Sequence, residues 1–447
     1  MRALIQTIRN IAKIEDLRNR IVYTLFILLI YRLGSFIVLP GIDPSQLAAL
    51  KTQTADGVLG LLNMFSGGAF ANASIFALGI MPYISASIVI QLLGIAIPYF
   101  QRLQREGESG RRKINQLTRY LTVAILVMQA PAYLKNLQVQ LPDSAFVLGG
   151  GTFFWFSSVV ILTSGTMFIM WLGEKITEKG IGNGISLIIM IGIIARLPQS
   201  LLFEFVSRLE DQGGGLVVFL LEMVILFFVF IATILLVQGT RKIPVQYAKR
   251  IVGNKQYGGV RQYIPLKVNS AGVMPIIFAQ ALMFIPLTVA GFADSDMLTG
   301  FAAAFSNMIG FWYNFTFAIM IILFTYFYTA ITINPSQMAE DMKKNGGFIP
   351  GVKPGRKTVE FLDTIMSRIT LPGSIFLAII AILPAFAQIG GVDSQFAQFY
   401  GGTSLLILVG VVLDTLQQIE SHLLMRHYDG LMKSGRIKGR AGGASAI

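Results

Sequence analysis

The sequence has no cysteine and only two histidines, His422 and His427. Without cysteine the chain forms no disulfide, offers no thiolate nucleophile and builds neither a zinc–thiolate site nor an iron–sulfur cluster. With only two histidines, a histidine-based metal centre or catalytic triad is nearly excluded as well. Charged residues are also scarce, at 13% of the chain against about 25% in an ordinary soluble protein. These absences argue against most enzyme classes and against a soluble fold.

The chain is unusually rich in apolar residues. They make up 54% of the 447 residues and give a mean hydropathy of +0.66. A helix needs about 20 consecutive apolar residues to cross ~30 Å of hydrocarbon. Ten such runs lie near residues 21–39, 76–97, 120–135, 154–172, 182–198, 215–237, 271–291, 312–333, 369–387 and 403–420. The sequence therefore predicts an all-α integral membrane protein with ten transmembrane helices.

The basic residues are distributed unevenly between alternate loops. The net charge is +13, and 31 of the 36 Lys and Arg residues lie in segments 1–20, 98–119, 173–181, 238–268, 334–368 and 421–447. The intervening loops hold only Lys51, Lys135, Arg196 and Arg208. Because loops rich in Lys and Arg stay in the cytoplasm, both termini are predicted to be cytoplasmic. No cleavage site follows the first span, so we expect an uncleaved anchor.

The ten spans divide into two blocks of five at the polar stretch 200–214. We expect an N-terminal half at residues 1–200 and a C-terminal half at residues 201–447. Each block has an odd number of spans. If the blocks are structural repeats, the second is therefore inverted in the membrane relative to the first. Such an arrangement places a functional path at the interface between the halves.

An apolar stretch between the first two spans is too short to cross the membrane. It covers residues 58–73 (VLGLLNMFSGGAFANA) and is interrupted by Gly67 and Gly68. About 16 residues at 1.5 Å each reach only ~24 Å even as a helix. We therefore expect a re-entrant segment whose backbone is surrounded by protein or by a water-filled cavity. The alternative is an interfacial helix lying on the outer surface of the membrane.

Few polar residues lie inside the spans. Only three charged ones sit well within apolar runs, namely Arg32, Glu222 and Asp414. An ion-coupled transporter usually needs such groups near the midplane, so their scarcity weakens a carrier interpretation. We expect these three to pair between helices or to reach the membrane surface. Uncharged polar residues of the second and third spans are expected to join helices by hydrogen bonds. They are Ser85, Ser87, Gln91 and Gln129.

Two of the basic loops, 238–268 and 334–368, are too long for tight connections. They mix basic, aromatic and Pro/Gly residues in RKIPVQYAKR and FIPGVKPGRK, which suits docking to an acidic partner, RNA included. Their role as a topology signal is an equal explanation of the charge. The segment GVKPGRKT is similar to a phosphate-binding loop, but its second Gly and its Lys are misplaced for that motif. No nucleotide motor is therefore predicted.

Six longer segments carry a family signature. They are IFALGIMPYISASIVIQLL (Ile75–Leu93), EGESGRRK (Glu106–Lys113), WLGEKITEKGIGNGIS (Trp171–Ser186), PVQYAKR (Pro244–Arg250), YIPLKVNSAGVMP (Tyr263–Pro275) and GGTSLLI (Gly401–Ile407). Together and in this order they resemble the SecY family of protein-conducting channels, in its bacterial branch. The resemblance covers essentially the whole chain, and several long motifs are far more specific than any short pattern.

The resemblance implies a clamshell of two inverted five-helix halves around an hourglass pore. Carried over motif by motif, the narrow ring of the pore consists of Ile80, Ile84, Ile189, Ile277 and Ile407. The plug, a short segment that closes the pore, would consist of Asn63, Met64, Phe65, Ser66, Gly67 and Gly68. Spans two and seven would face one another as a lateral gate, whose predicted polar residues are Ser85, Ser87, Gln91, Gln129 and Gln280.

The resemblance also implies partners and a location. Channels of this family work with the small membrane subunits SecE and SecG, the SecA ATPase, the ribosome, signal peptides, nascent chains and membrane lipids, and they need no cofactor. The location would be the bacterial cytoplasmic membrane. The basic loops would dock SecA or the ribosome through Arg241, Lys249, Arg250, Lys255, Lys353, Arg356 and Lys357. Lys353 stands where family members commonly have Arg, and Asn254 with Lys255 replaces an Arg pair, so the bidentate guanidinium fork is lost there.

The implied function is the passage of unfolded secretory proteins across the membrane and the lateral release of transmembrane segments into it. An apolar constriction of branched side chains dewets and blocks ions, yet it widens around a peptide because no covalent or ionic bond locks it. One alternative is an ion-coupled solute carrier with a five-plus-five inverted repeat. Another is an intramembrane enzyme, which we do not predict because His422 is badly placed as a base.

Overall fold

Long helices form most of the protein. The computed structural model describes residues 14–47, 50, 60, 63–147, 151–210, 215–247, 250–252, 255–257, 261–290 and 309–433. Its helices are α1 (Glu15–Gly34), α2 (Met81–Ala96), α3 (Pro98–Arg105), α4 (Glu108–Gln140), α5 (Thr152–Lys179), α6 (Gly184–Glu210), α7 (Gly215–Gln238), α8 (Met274–Ala290), α9 (Phe311–Thr332), α10 (Pro335–Lys344), α11 (Arg356–Ile389), α12 (Ser394–Ala397) and α13 (Gly402–Lys433). Ten of them, all except α3, α10 and α12, coincide with the ten predicted spans.

Most of these ten helices could cross a membrane by their length and composition. Among the described residues, seven are long and apolar enough, and α2 with α3 makes an eighth if this pair, bent by 102°, is one span. The other two are α1 and α8. Helix α1 carries Arg18, Arg20 and Arg32 within its 20 residues, and α8 has 17 residues before the chain leaves the described part. The prediction of a helical, multi-pass membrane protein is confirmed.

Both halves use the same pattern of helix contacts. In the first half α1 contacts α5 and α6, α2 contacts α4, and α5 contacts α4 and α6. In the second half α7 contacts α11 and α13, α8 contacts α9, and α11 contacts α9 and α13. Each helix of the first half thus corresponds to the helix five spans later. Since five spans reverse the direction of the chain, the pattern is that of an inverted repeat.

The polar stretch 200–214, where the sequence predicts the connection between the halves, begins inside a helix. Helix α6 continues past residue 200, the predicted end of the N-terminal half, and ends at Glu210. Hydropathy marks only the apolar part of a helix, and the last two turns of α6 contain Glu204 and Arg208. Residues 211–214 lie outside the described part of the chain. The division into halves at residue 200 stays a prediction.

The fold also contains a small amount of β-structure, which the all-α prediction missed. Its strands are β1 (Thr240–Tyr247), β2 (Arg250–Val252), β3 (Lys255–Tyr257), β4 (Arg261–Lys267) and β5 (Gly347–Phe348). Strand β1 pairs antiparallel with β4 and with β5, and β2 pairs with β3. The strands form because β1 alternates exposed residues with buried Ile243 and Val245, a two-residue period that a helix does not accommodate.

Candidate functional site

The five isoleucines predicted to form a ring belong to one apolar cluster. Ile80 immediately precedes α2 and Ile84 lies within it, whereas Ile189, Ile277 and Ile407 come from α6, α8 and α13. Three of them, Ile80, Ile189 and Ile407, are at most 5% exposed, and the other two pack against the cluster. Helices from both halves therefore bring branched apolar side chains to one place.

A cavity of about 20 Å³ lies among these side chains. Its lining consists of Phe65, Met81, Ile84, Ser85, Ile88, Ile189, Ile277, Gln280 and Ile407. Four of the five predicted ring residues are in this set, together with Phe65 of the predicted plug. The lining holds no charged side chain. Because the cavity has room for about one water molecule, the path is closed to a peptide at this level.

The predicted plug residues lie inside the protein, against the ring. Asn63, Met64, Phe65 and Ser66 are each at most 5% exposed, and Met64 and Phe65 belong to the same apolar cluster as the isoleucines. An interfacial helix would leave one face to solvent or lipid headgroups. The burial of these residues therefore argues against that alternative for residues 63–66. Residues 58, 59, 61 and 62 of the predicted segment lie outside the described part of the chain.

The shape of the predicted plug depends on two glycines and one asparagine. The side-chain oxygen of Asn63 accepts a hydrogen bond from the backbone N–H of Ala71 (3.0 Å), which closes a compact loop. Gly67 and Gly68 have φ angles of 65° and 91°, in the left-handed region that favours glycine. A Cβ atom on Gly67 would also lie 2.8 Å from the Cα atom of Gly192 in α6. The predicted plug can approach α6 this closely only with glycine at both contact positions.

Gln91 joins α2 to the second half. Its amide nitrogen donates a hydrogen bond to the Ser87 hydroxyl (3.4 Å), and its oxygen accepts one from the Tyr328 hydroxyl of α9. The Tyr328 ring packs against Phe278 of α8, with 5.5 Å between ring centroids. Helix α2 thus faces both α8 and α9, as a gate between the halves requires. Sequence reasoning missed Tyr328, because a tyrosine in an aromatic-rich helix carries no local sign of its partner.

The remaining predicted gate residues lie in different places. Ser85 of α2 and Gln280 of α8 both line the central cavity, on opposite halves of the protein. Gln129 is exposed on α4, and no hydrogen bond or cavity of the described residues links it to the other four. The reason is helical geometry: Leu126 and Ala130 take the core-facing positions of that turn, so Gln129 is directed away from the bundle. The structure does not bring Gln129 to the gate.

A buried charge network joins the two halves at the end of α6. The Arg208 guanidinium contacts the carboxylates of Glu204 (2.8 Å) and of Glu222 in α7 (2.5 Å). It also donates to the carbonyl of Gly391, in the loop after α11. The second carboxylate oxygen of Glu204 accepts from the backbone N–H of Asp393 (2.9 Å). The sequence pointed to Glu222 as a charge in a span, but it did not identify Arg208 as its partner.

The two basic loops form one body. Strand β5 of the second loop pairs with β1 of the first, and apolar side chains from both loops share a small core. Of the predicted docking residues, Arg241, Lys353, Arg356 and Lys357 are exposed. Arg250 and Lys255 lie in β2 and β3, where only the backbone is described, and Lys249 lies outside the described residues. The exposed residues offer a basic surface built from both loops.

Comparison with known proteins explains why these elements occur together. The family model described as SecY matches residues 74–416. The chain belongs to the SecY family. It is 42% identical to the protein translocase subunit SecY of Mycobacterium bovis, over 96% of this chain and 99% of that protein. It is 44% identical to the protein of the same name from Halalkalibacterium halodurans, over 96% of this chain and 100% of that protein.

Solved structures of SecY and related channels show the same fold. A protein-conducting channel is similar with a TM-score of 0.57 at 18% identity, covering 90% of this chain and 92% of that one. A SecY protein whose plug domain stabilises the closed channel gives 0.59 at 17% identity, with the same coverage. The Sec61 channel of a canine ribosome-channel complex gives 0.53 at 17% identity, again with this coverage. The predicted SecY-family fold is confirmed.

Proposed function

We propose that this chain is the channel-forming subunit of a protein translocase. It passes unfolded secretory proteins across the membrane and releases apolar segments sideways into the lipid. The observation that carries the proposal is the closed cavity between the halves, where four isoleucines meet Phe65 of the plug. A path that is apolar, uncharged and lined from both halves suits a polypeptide of any sequence, whereas an ion-coupled carrier needs charged groups at that depth.

The ring seals by dewetting. Branched apolar side chains give water no hydrogen-bond partner, so a narrow constriction excludes water and the ions that water carries. Packing alone holds the ring side chains in place, and the five isoleucines come from four helices, with Ile80 and Ile84 both at the start of α2. No ionic bond among the ring side chains therefore has to break when the ring widens. Phe65, seated in the cavity, is displaced as a chain enters.

The gap between α2 and the α8–α9 pair is the proposed lateral gate. Among the described residues, one side-chain hydrogen bond crosses this gap. The Tyr328 hydroxyl donates it to the Gln91 amide oxygen, and both groups are neutral. Such a bond contributes only about 0.5–1.5 kcal/mol. A passing segment then partitions between water and lipid according to its own composition. The free energy of insertion is roughly −0.3 to −0.6 kcal/mol for each Leu, Ile, Phe or Val at the helix centre, and about +2.5 to +3.5 kcal/mol for each charged residue. About 20 apolar residues favour the lipid.

The basic surface of the two loops is the proposed docking site for SecA or the ribosome. The loops hold 13 of the 31 basic residues assigned to the cytoplasmic side, more than orientation alone requires. The solved Sec61 and Ssh1 channels of similar fold are bound to ribosomes. We place both termini and these loops in the cytoplasm of a bacterium, the chain in its cytoplasmic membrane, and SecE and SecG beside it.

One reconstitution tests the function and the docking site together. Proteoliposomes containing the chain with SecE and SecG should protect a secretory protein from external protease when SecA and ATP are added. Arg356→Glu should weaken SecA binding by about 1–3 kcal/mol and slow translocation, because it removes charge-assisted hydrogen bonds to an acidic surface. The loss should be larger at low salt, since exposed charges are screened over ~10 Å at 0.1 M.

Lys135→Glu is the matched control, because it makes the same charge reversal at an exposed residue of α4. It should leave SecA binding unchanged. Equal SecA affinity for Arg356→Glu and the unmodified chain would remove the docking assignment. Coupled uptake of a small solute, without protection of a secretory protein, would instead support the carrier.

A further inference from the structure

Two adjacent residues in the last turn of α1 donate hydrogen bonds to the plug. The Tyr31 hydroxyl donates to the carbonyl of Ser66 (3.2 Å), and the Arg32 guanidinium donates to the carbonyl of Gly67 (2.8 Å). Among the described residues, Arg32 is the one donor to the Gly67 carbonyl. An irregular segment at membrane depth needs such donors, because its carbonyls lack regular helix or sheet partners.

A third donor comes from α4. The Tyr133 hydroxyl donates to the carbonyl of Phe70 (2.9 Å), and the two rings pack with 4.8 Å between their centroids. Tyr133 is 5% exposed, so water cannot readily replace this bond. Side chains from two helices of the first half therefore hold three carbonyls of residues 66–70, two in the plug and one just after it.

The side of the plug that faces the second half has a different character. There Phe65 meets Ile277 and Ile407 across the central cavity, and these contacts are apolar. Within the part of the chain that the structure describes, the side-chain hydrogen bonds of residues 63–70 go to α1, to α4 or to the segment itself. The plug is thus fastened to one half and only packed against the other.

We propose that Tyr31, Arg32 and Tyr133 form a latch that sets how easily the plug leaves the pore. The inference rests on the proposed role of residues 63–68 as the plug. When the halves separate, the apolar contacts to the second half are lost first, and the plug stays with the first half until the latch releases it. The latch thereby keeps the resting channel sealed and sets a threshold that an entering chain must overcome.

Arg32 is the strongest part of the latch. It sits at the C-terminal end of α1, where the helix dipole favours a cation. Among the described residues Arg32 has no salt bridge, and its guanidinium donates to the Gly67 carbonyl and lies 5.2 Å from the centroid of the Phe36 ring. A hydrogen bond from a charged donor is roughly twice as strong as a neutral one. The sequence predicted that Arg32 pairs between helices or reaches the membrane surface, whereas in the structure it donates to a backbone carbonyl.

A single cysteine in the plug measures the strength of the latch. Ser66→Cys is nearly isosteric, Ser66 is 3% exposed, and the chain has no other cysteine. The labelling rate with a membrane-impermeant maleimide, in the resting SecE and SecG complex, reports the displaced fraction of the plug. Arg32→Met should raise this rate about tenfold or more, and Tyr31→Phe and Tyr133→Phe about threefold each.

Conservative variants separate the latch from a general loss of structure. Arg32→Lys keeps the charge and one donor, so it should restore most of the protection. Arg18→Met on α1 and Tyr120→Phe on α4 change exposed side chains of the same types and should leave the labelling rate unchanged. Unchanged rates in all three latch variants would overturn the latch and leave the plug assignment standing. Full labelling at rest, with the latch intact, would overturn the plug assignment itself.

Discussion

Replacing Ile84 and Ile189 together by asparagine should raise the resting ion conductance of the reconstituted channel about tenfold or more. Both side chains line the closed central cavity, and neither has a charged neighbour in that lining. An amide gives water a hydrogen-bond partner worth about 1–3 kcal/mol in protein interiors, so a wetted constriction becomes accessible. Single-channel recording in planar bilayers measures the change directly.

The control places the same two substitutions on the outside of the bundle. Leu221 and Val224 are 59% and 52% exposed on α7, so asparagine there does not reach the cavity. Leu221→Asn with Val224→Asn should leave the conductance at its resting value. If the ring variant conducts no better than this control, the isoleucines do not form the seal.

Replacing Arg208 by leucine should cost about 3–5 kcal/mol of the free energy of unfolding. The Arg208 side chain is 11% exposed and bridges Glu204 and Glu222, which are almost fully buried. Removing the cation leaves two carboxylates in an apolar environment without a counter-charge, and breaking a buried pair in this way is strongly destabilising. Denaturant unfolding in detergent, followed by circular dichroism, gives the difference.

Two further variants identify the cause of that loss. Arg119→Leu removes the salt bridge between Arg119 and Glu174, in which the Arg119 side chain is 45% exposed. It should lower the free energy of unfolding by no more than about 1 kcal/mol. Adding Glu204→Gln and Glu222→Gln to Arg208→Leu should recover much of the lost stability, because the uncompensated charge is then gone. Equal losses of unfolding free energy for Arg208→Leu and Arg119→Leu would show that the buried network between the halves stabilises the fold no more than an exposed salt bridge.

The sequence predicted the parts of the fold that depend on local composition. The ten helices coincide with apolar runs because a helix needs a minimum length of apolar residues to cross the hydrocarbon. A hydropathy average taken along the sequence marks such runs. The division into two blocks of five followed from counting the spans, and the inversion of the second block followed from the odd number in each. Helix ends were less predictable, because polar turns such as those around Glu108 and Glu204 extend a helix beyond its apolar part.

The candidate site could be proposed from the sequence only where the motifs specify it. The five isoleucines are ordinary apolar residues when taken singly, and the family resemblance selected them. The donors to the predicted plug could not be predicted from the sequence. Tyr31 and Arg32 donate to backbone carbonyls, and because every residue has a carbonyl, the sequence does not show which one accepts. The bond between Gln91 and Tyr328 spans 237 positions of the chain and leaves no local pattern. Sequence likewise placed Gln129 in the gate without knowing which face of α4 is buried.

The central claim is that a polypeptide crosses the membrane through the isoleucine ring. A secretory chain carrying one cysteine, stalled during translocation by a folded domain at its end, should form a disulfide with Ile189→Cys and with Ile277→Cys, which lie on opposite halves. It should not form one with Phe228→Cys, whose side chain is 64% exposed on the outer face of α7. Cross-linking to Phe228→Cys, with neither ring position reacting, would contradict the claim.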